Sequence, residues 1–162
     1  MAAQVYIGLG SNLGEPLKQI RQAIDELHQL PHTDFTTCSS LYQTKPIGPG
    51  VQADYINAVC GLRTTLAPSL LLQHLQRIEQ HHERVRGERW GPRTLDLDIL
   101  LYADRHICTQ DLRIPHANMQ TRAFVLYPLQ EIAPLVDLPG LGTLSEILQH
   151  CPAQGIQRLG ED

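Results

Sequence analysis

Asp96 and Asp98 stand one residue apart in an otherwise apolar run, Leu95-Asp96-Leu97-Asp98-Ile99-Leu100-Leu101. In an extended chain, residues two apart project to the same side. Both carboxylates therefore leave one face, with Leu100 beside them, while Leu95, Leu97, Ile99 and Leu101 take the other. Two unit charges about 4 Å apart repel by about 1 kcal/mol in water and by about 4 kcal/mol at an effective dielectric near 20. A cation offsets that cost. Oxygen-only ligands favour a hard ion, Mg²⁺ above all, held by one or two carboxylates plus substrate phosphates. Arg84, Arg86, Arg89 and Arg93 crowd the approach to this run, and Arg122 follows later. Guanidinium groups match phosphate oxygens in bidentate geometry. Acids for a metal beside arginines for an anion describe a metal–nucleotide site. The competing reading is an edge strand with two solvated acids, its arginines paired with Glu79, Glu83 and Glu88.

A frame must hold these groups, and hydrophobic periodicity supplies one. Val5 to Leu9 reads as a strand ending in glycines, and Pro16 opens a helix whose Leu17, Ile20, Ile24, Leu27 and Leu30 recur at helical spacing until Pro31. Thr33 to Thr44 reads as one strand. Tyr55 to Thr65 alternates, with Ile56, Ala58, Cys60 and Leu62 on one face and Tyr55 and Asn57 on the other. The Pro- and Gly-rich loop between those two strands is unusually long for a plain hairpin connection. Pro68 opens a second helix with the stripe Leu71, Leu72, Leu75 and Ile78, and His81 and His82 read as its solvated surface. Short extended pieces at 107–108 and 112–114 precede a helix near 121–129, and Thr143 with Glu146 makes a capping box for a last short helix. The order β-α-β-β-α-β plus a C-terminal extension predicts an α+β fold of the split βαβ type, with two helices on one sheet face and the C-terminal helices on part of the other.

Composition narrows the function. The 162 residues are 42% hydrophobic and 19% charged with a net charge of -4, which fits one globular domain over 1–162 and lacks the basic excess of a nucleic-acid binder. No run reaches the roughly 18–20 apolar residues of a membrane span, and the start lacks the pattern of a signal peptide. Cys38, Cys60, Cys108 and Cys151 are spread along the chain without a C-x-x-C pair and read as reduced thiols of a cytoplasmic protein. The Gly8-Leu9-Gly10-Ser11-Asn12-Leu13-Gly14 segment places its third glycine one residue late for a dinucleotide-binding loop, and no P-loop is present. Its glycines read as a mobile turn beside the site.

Several ordered blocks resemble one family. They are Gly10-Ser11-Asn12-Leu13-Gly14, Tyr42-x-Thr44, Pro46-x-Gly48, Asp54-Tyr55-x-Asn57-Ala58, Arg84-x-Arg86, Arg89-Trp90-Gly91-Pro92-Arg93-Thr94-Leu95-Asp96-Leu97-Asp98 and Pro115-His116-x-x-Met119-x-x-Arg122-x-Phe124. Together they are similar to 6-hydroxymethyl-7,8-dihydropterin pyrophosphokinase over nearly the whole chain. The resemblance implies a ferredoxin-like core and transfer of the terminal pyrophosphate of ATP to a pterin hydroxymethyl group, leaving AMP. It implies that Asp96 and Asp98 bind two Mg²⁺ ions. It assigns Gln76, Arg84, Arg93, Ile99, His116 and Arg122 to ATP, with Arg84 and Arg93 also catalytic. Thr44, Pro46, Ile47, Tyr55, Asn57, Trp90 and Phe124 fall to the pterin. A flat heterocycle does want aromatic faces, and its amide-like edge wants an amide such as Asn57. The implied partners are small molecules, with no nucleic acid or membrane, and the implied state is a monomer. Two other classes compete with this reading: a two-metal phosphodiesterase or nuclease, and a non-catalytic Mg-nucleotide sensor.

Overall fold

The computed structural model describes residues 2–12, 15–44, 54–86, 95–153 and 155–159, apart from the side chains of 83–86. The first strand, β1 (Ala3–Ser11), leads to α1 (Pro16–Leu27), then β2 (Thr33–Cys38), β3 (Tyr42–Thr44) and β4 (Tyr55–Thr64). Helix α2 (Pro68–Arg86) and strand β5 (Asp96–Tyr102) complete a core of order βαβββαβ, the expected βαββαβ with its second strand split in two. Beyond it come β6 (Ile107–Cys108), β7 (Arg113–Ile114), a 3-10 turn at Met119–Thr121, α3 (Ala123–Ile132), β8 (Asp137–Leu138), β9 (Gly142–Thr143), α4 (Leu144–Leu148) and β10 (Ile156–Arg158). The main sheet runs β10-β3-β4-β1-β5, with β2 also on β4, and each described pairing is antiparallel.

Alternation in the strands creates two apolar layers. Val5, Ile7 and Leu9 of β1, Ile56, Ala58, Cys60 and Leu62 of β4, and Leu97 and Ile99 of β5 face α1 and α2. The helices answer with Ile20, Ala23 and Leu27, and with Leu71, Leu75 and Ile78. Each such Leu or Ile is worth about 1.5–3 kcal/mol relative to exposure. On the opposite face Val59, Leu100 and Leu101 pack with Met119, Leu126 and Leu129, and with Leu144 and Ile147 of α4. The C-terminal helices therefore cover part of the second face, as the sequence implies. Thr143 caps α4, accepting the Glu146 N–H at 3.1 Å, while its hydroxyl donates to Glu146 Oε1 at 2.9 Å.

Four expectations are corrected. The stretch 33–44 is two strands, because Ser39 puts its side chain into the ladder: its Oγ accepts the Val59 N–H at 2.9 Å and donates to Ser40 O at 2.7 Å. Leu101 packs with Leu100 rather than with Leu97 and Ile99. The β1–β5 register passes from Tyr6↔Leu101 to Ile7↔Ile99, so Leu100 is an extra, bulged residue and alternation flips beyond it. His82 is 2% exposed rather than solvated. It extends the buried stripe Leu71–Leu75–Ile78 by one turn and lies between α2 and α1, its Nδ1 against Gln19 Oε1 and its Nε2 2.5 Å from Glu26 Oε1. His81 is exposed, as expected. Gly8 and Gly10 belong to β1 and not to a turn, while Leu13 and Gly14 lie outside the described residues. Among the described residues, no helix is long and apolar enough to cross a membrane.

Candidate active site

A cavity of about 850 Å³ opens on the sheet face opposite α1 and α2. Asp96 and Asp98 reach it from β5, Thr44 from β3, Tyr55 and Asn57 from β4, and Gly8 and Gly10 form the β1 floor between them. The register explains the layout. Gly10 pairs with Asn57 on one side and Asp96 on the other, and Gly8 with Val59 and Asp98. Adjacent strands lie about 4.7–4.9 Å apart, so Asn57 and Asp96 stand about 10 Å apart across one glycine. A Cβ on Gly10 would come 2.9 Å from Asn57 Nδ2. The glycine is therefore required by the amide beside it.

Asn57 is buried and tied down. Its Nδ2 donates to Leu9 O at 3.4 Å and its Oδ1 accepts from Thr44 Oγ1 at 3.0 Å. An amide carries two donors and two acceptor lone pairs, so one of each remains for a planar ligand edge. Phe124 and Arg122 form the far wall, with the guanidinium carbon 5.8 Å from the ring centroid.

The acids are held from behind. Glu79 of α2, 7% exposed, accepts the Leu97 N–H at 2.8 Å and so fixes the backbone between the two aspartates. His116 Nδ1–H donates to Ala117 O at 3.0 Å, which turns Nε2 to within 3.7 Å of Asp98 Oδ1. Among the described residues no group of three or more His, Cys, Asp or Glu side chains could enclose a metal ion. Two carboxylates on one wall cannot complete a coordination sphere. They suit Mg²⁺, which keeps several waters and takes phosphate oxygens as further ligands.

Thr44, Tyr55, Asn57, Asp96, Asp98, His116, Arg122 and Phe124 thus line one cavity. Gln76 is an exposed residue of α2 outside that lining, and the Ile99 side chain belongs to the helix-side core. Pro46, Ile47, Trp90 and Arg93 lie outside the described residues, as does the side chain of Arg84. Sequence reasoning missed Gly8 and Gly10 as floor, and Asn118, His150 and Ile156 as lining. Asn118 carried one local signal, a short polar residue able to adopt its positive φ of 64°. Ile156 carried none, because its place follows from pairing with Thr44 across β10 and β3.

A clasp outside the cavity holds β3. Glu131 of α3 accepts from Tyr42 Oη at 2.7 Å and from the Ser40 N–H and hydroxyl, each at 2.9 Å, with Arg158 3.7 Å away. Partial burial pushes the Glu131 carboxyl up, but these hydrogen bonds and Arg158 outweigh it and keep it below its ordinary value. Burial, reinforced by the carboxylate, raises the Tyr42 phenol to about 12.

Residues 6–134 match the family described as 7,8-dihydro-6-hydroxymethylpterin-pyrophosphokinase (HPPK). The 2-amino-4-hydroxy-6-hydroxymethyldihydropteridine pyrophosphokinase of Pseudomonas aeruginosa is 50% identical over 159 residues, 98% of either chain. The protein of the same name from Haemophilus influenzae is 49% identical over 145 residues, covering 90% of this chain and 91% of that one. Among solved structures, Plasmodium falciparum HPPK-DHPS with pterin and p-hydroxybenzoate superposes with a TM-score of 0.74 at 13% identity. HPPK-DHPS in complex with substrates gives 0.76 at 13% identity. Both superpositions cover 98% of this chain and 46% of the solved one, so the chain spans just under half the length of those proteins and shares their fold.

Proposed function

The chain belongs to the 7,8-dihydro-6-hydroxymethylpterin-pyrophosphokinase family, and from that premise we propose that its cavity is where pyrophosphate passes from ATP to the hydroxymethyl oxygen of 6-hydroxymethyl-7,8-dihydropterin, a step of folate biosynthesis. One observation carries the reading. The Asn57–Thr44 pair and the two acids line the same cavity, one strand apart on either side of β1. That spacing supports a pterin edge on Asn57 and a phosphate chain beside Asp96 and Asp98, with the hydroxymethyl group between.

In the reaction the hydroxymethyl oxygen attacks the β-phosphorus of ATP, the bridge to the α-phosphate breaks, AMP leaves and the hydroxyl proton is lost. Asn57 orients the pterin, and Tyr55 and Phe124 give it aromatic surface, joined by Trp90, Pro46 and Ile47. Arg122 and His116 meet phosphate oxygens, joined by Arg84 and Arg93. Asp96 and Asp98 would hold two Mg²⁺ ions, whose chemistry is to neutralise phosphate charge and acidify the attacking hydroxyl. Leu100, packed beneath the acids, keeps the floor apolar and so strengthens each of these charge interactions. We read the whole of 1–162 as one domain, acting as the monomer that the family resemblance implies. Four free cysteines suit a reducing compartment such as the cytoplasm.

The family match gives no support to the nuclease or sensor readings. Incubation with ATP, Mg²⁺ and the pterin alcohol is expected to release AMP and a pterin diphosphate in equal amounts. Release of ADP, or ATP binding without turnover, would overturn the assignment.

A further inference from the structure

Cys38 closes β2, and Cys60 lies opposite it on β4 in register. The next position, Ser39 opposite Val59, falls on the hydrogen-bonded side of the alternation, since Ser39 N–H donates to Val59 O at 2.9 Å, although the Val59 N–H is taken by Ser39 Oγ rather than by its carbonyl. Antiparallel rungs alternate, so Cys38 and Cys60 occupy a non-hydrogen-bonded rung, where Cα atoms stand about 4.5 Å apart and side chains approach most closely. A disulfide accepts Cα separations of about 4.4–6.8 Å. The two sulfurs are already 3.3 Å apart, with the Cys60 S–H donating to Cys38 Sγ, and both thiols are free.

The two thiols are unequal. Cys60 is 0% exposed, whereas Cys38 is half-buried at the strand end. The S–H of Cys60 holds the Cys38 thiol below its ordinary value, against the opposing push of burial and of Glu131. The same bond, with burial, drives Cys60 up. One sulfur is partly exposed and is the more readily ionised of the two, and its neighbour is sealed and the harder to ionise. A thiolate beside a resolving thiol is the arrangement of an oxidant-responsive pair.

We propose that Cys38 and Cys60 are a peroxide-responsive dithiol that closes into a cross-strand disulfide at the base of the β3–β4 hairpin. The Cys38 thiolate attacks one peroxide oxygen, the O–O bond breaks, hydroxide leaves, and Cys38 becomes a sulfenic acid. Cys60 then gives up its proton and attacks the Cys38 sulfur, forming the S–S bond and releasing water. In sum, two thiols lose two electrons and hydrogen peroxide becomes two waters. The new bond closes the segment that carries Thr44, Tyr55 and Asn57. It forms on the helix side of the sheet, away from the cavity, because Cys60 belongs to the core under α1 and α2.

The test treats the full chain, native and reduced, with stoichiometric hydrogen peroxide. Peptide mapping is expected to recover 38 linked to 60 with the mass of two hydrogens lost, while exposed Cys108 serves as the unlinked control. Closing a loop of about 20 residues restricts the unfolded chain, so the thermal midpoint of the oxidised protein should rise by several degrees and return on adding a dithiol reductant. In Cys60→Ser the Cys38 sulfenic acid should persist and be trapped by dimedone; Cys38→Ser should give neither product. Cys38 running on to sulfinic acid in the wild-type protein, or linkage appearing only in denaturant, would overturn the proposal. A midpoint that falls on oxidation would overturn it as well.

Discussion

At the scale of single residues, the site depends on side chains that are present at one position and missing at the next. Asp98 shows the first case. If it helps to hold the cation, Asp98→Ala removes several kcal/mol of transition-state stabilisation. At about 1.4 kcal/mol per decade, kcat should fall at least about a hundredfold with the fold intact by circular dichroism. Near-normal turnover would refute the metal role. Gly10 shows the second case. Its missing Cβ leaves room for Asn57 Nδ2, which a methyl group at this position would approach to 2.9 Å. Gly10→Ala should raise the KM for the pterin at least about tenfold, the cost of one mispositioned hydrogen bond, while the KM for ATP changes far less. Equal changes in both constants would separate Gly10 from the pterin. The aspartates were legible because a two-residue period fixes their common face. Gly10 was not, since its reason lies on a neighbouring strand. His82 was legible in principle, seven residues after Leu75 and four after Ile78, but the polar run around it hid the stripe.

At the scale of elements, the sequence placed the core strands and helices because each carries its own period, and it placed the extension across the second face. It could not place the break at Ser39, the bulge at Leu100 or the partners of β10, which depend on what lies across the ladder. Strand β3 is the instructive element. It is only three residues long, Tyr42–Thr44, yet it carries Thr44 into the cavity. Glu131 compensates for its shortness by clasping Ser40 and Tyr42 to α3. Glu131→Gln keeps the shape but weakens charge-assisted bonds, and should cost about 1–3 kcal/mol of stability at neutral pH. The folded carboxyl titrates below its unfolded value of 4.5, so this stabilisation is present above about pH 4.5 and is lost as pH falls through the lower folded value. The gap in thermal midpoint between wild type and Glu131→Gln should therefore be full at pH 7 and narrow steadily below pH 4.5. A gap that stays constant or widens in acid would show that the carboxylate is not what holds β3.

At the scale of the whole molecule, one sheet separates two apolar layers, and each layer is closed only by sharing strands with the other. Val59 of β4 faces α3 and α4, while its neighbours Ala58 and Cys60 face α1 and α2. In β5, Ile99 and Leu100 divide the same way. Loss of either layer exposes one face of every central strand, so neither layer should survive alone. Leu75 of α2 and Leu126 of α3 test this from opposite sides, since both are 0% exposed. Truncation to Ala should cost about 2–5 kcal/mol at each position, including the cavity left behind. Urea denaturation followed by both fluorescence and circular dichroism should give one coincident transition in each variant, shifted to lower denaturant with a nearly unchanged slope. Their effects on catalysis should differ. Leu126 follows Phe124 and Val125, which line the cavity, so Leu126→Ala should disturb the pterin wall and lower kcat/KM for the pterin. Leu75→Ala acts on the far side of the sheet and should leave kcat/KM nearly intact at temperatures where the protein remains folded. Separate transitions, or equal losses of activity, would mean that the two layers are not coupled through the shared strands in this way.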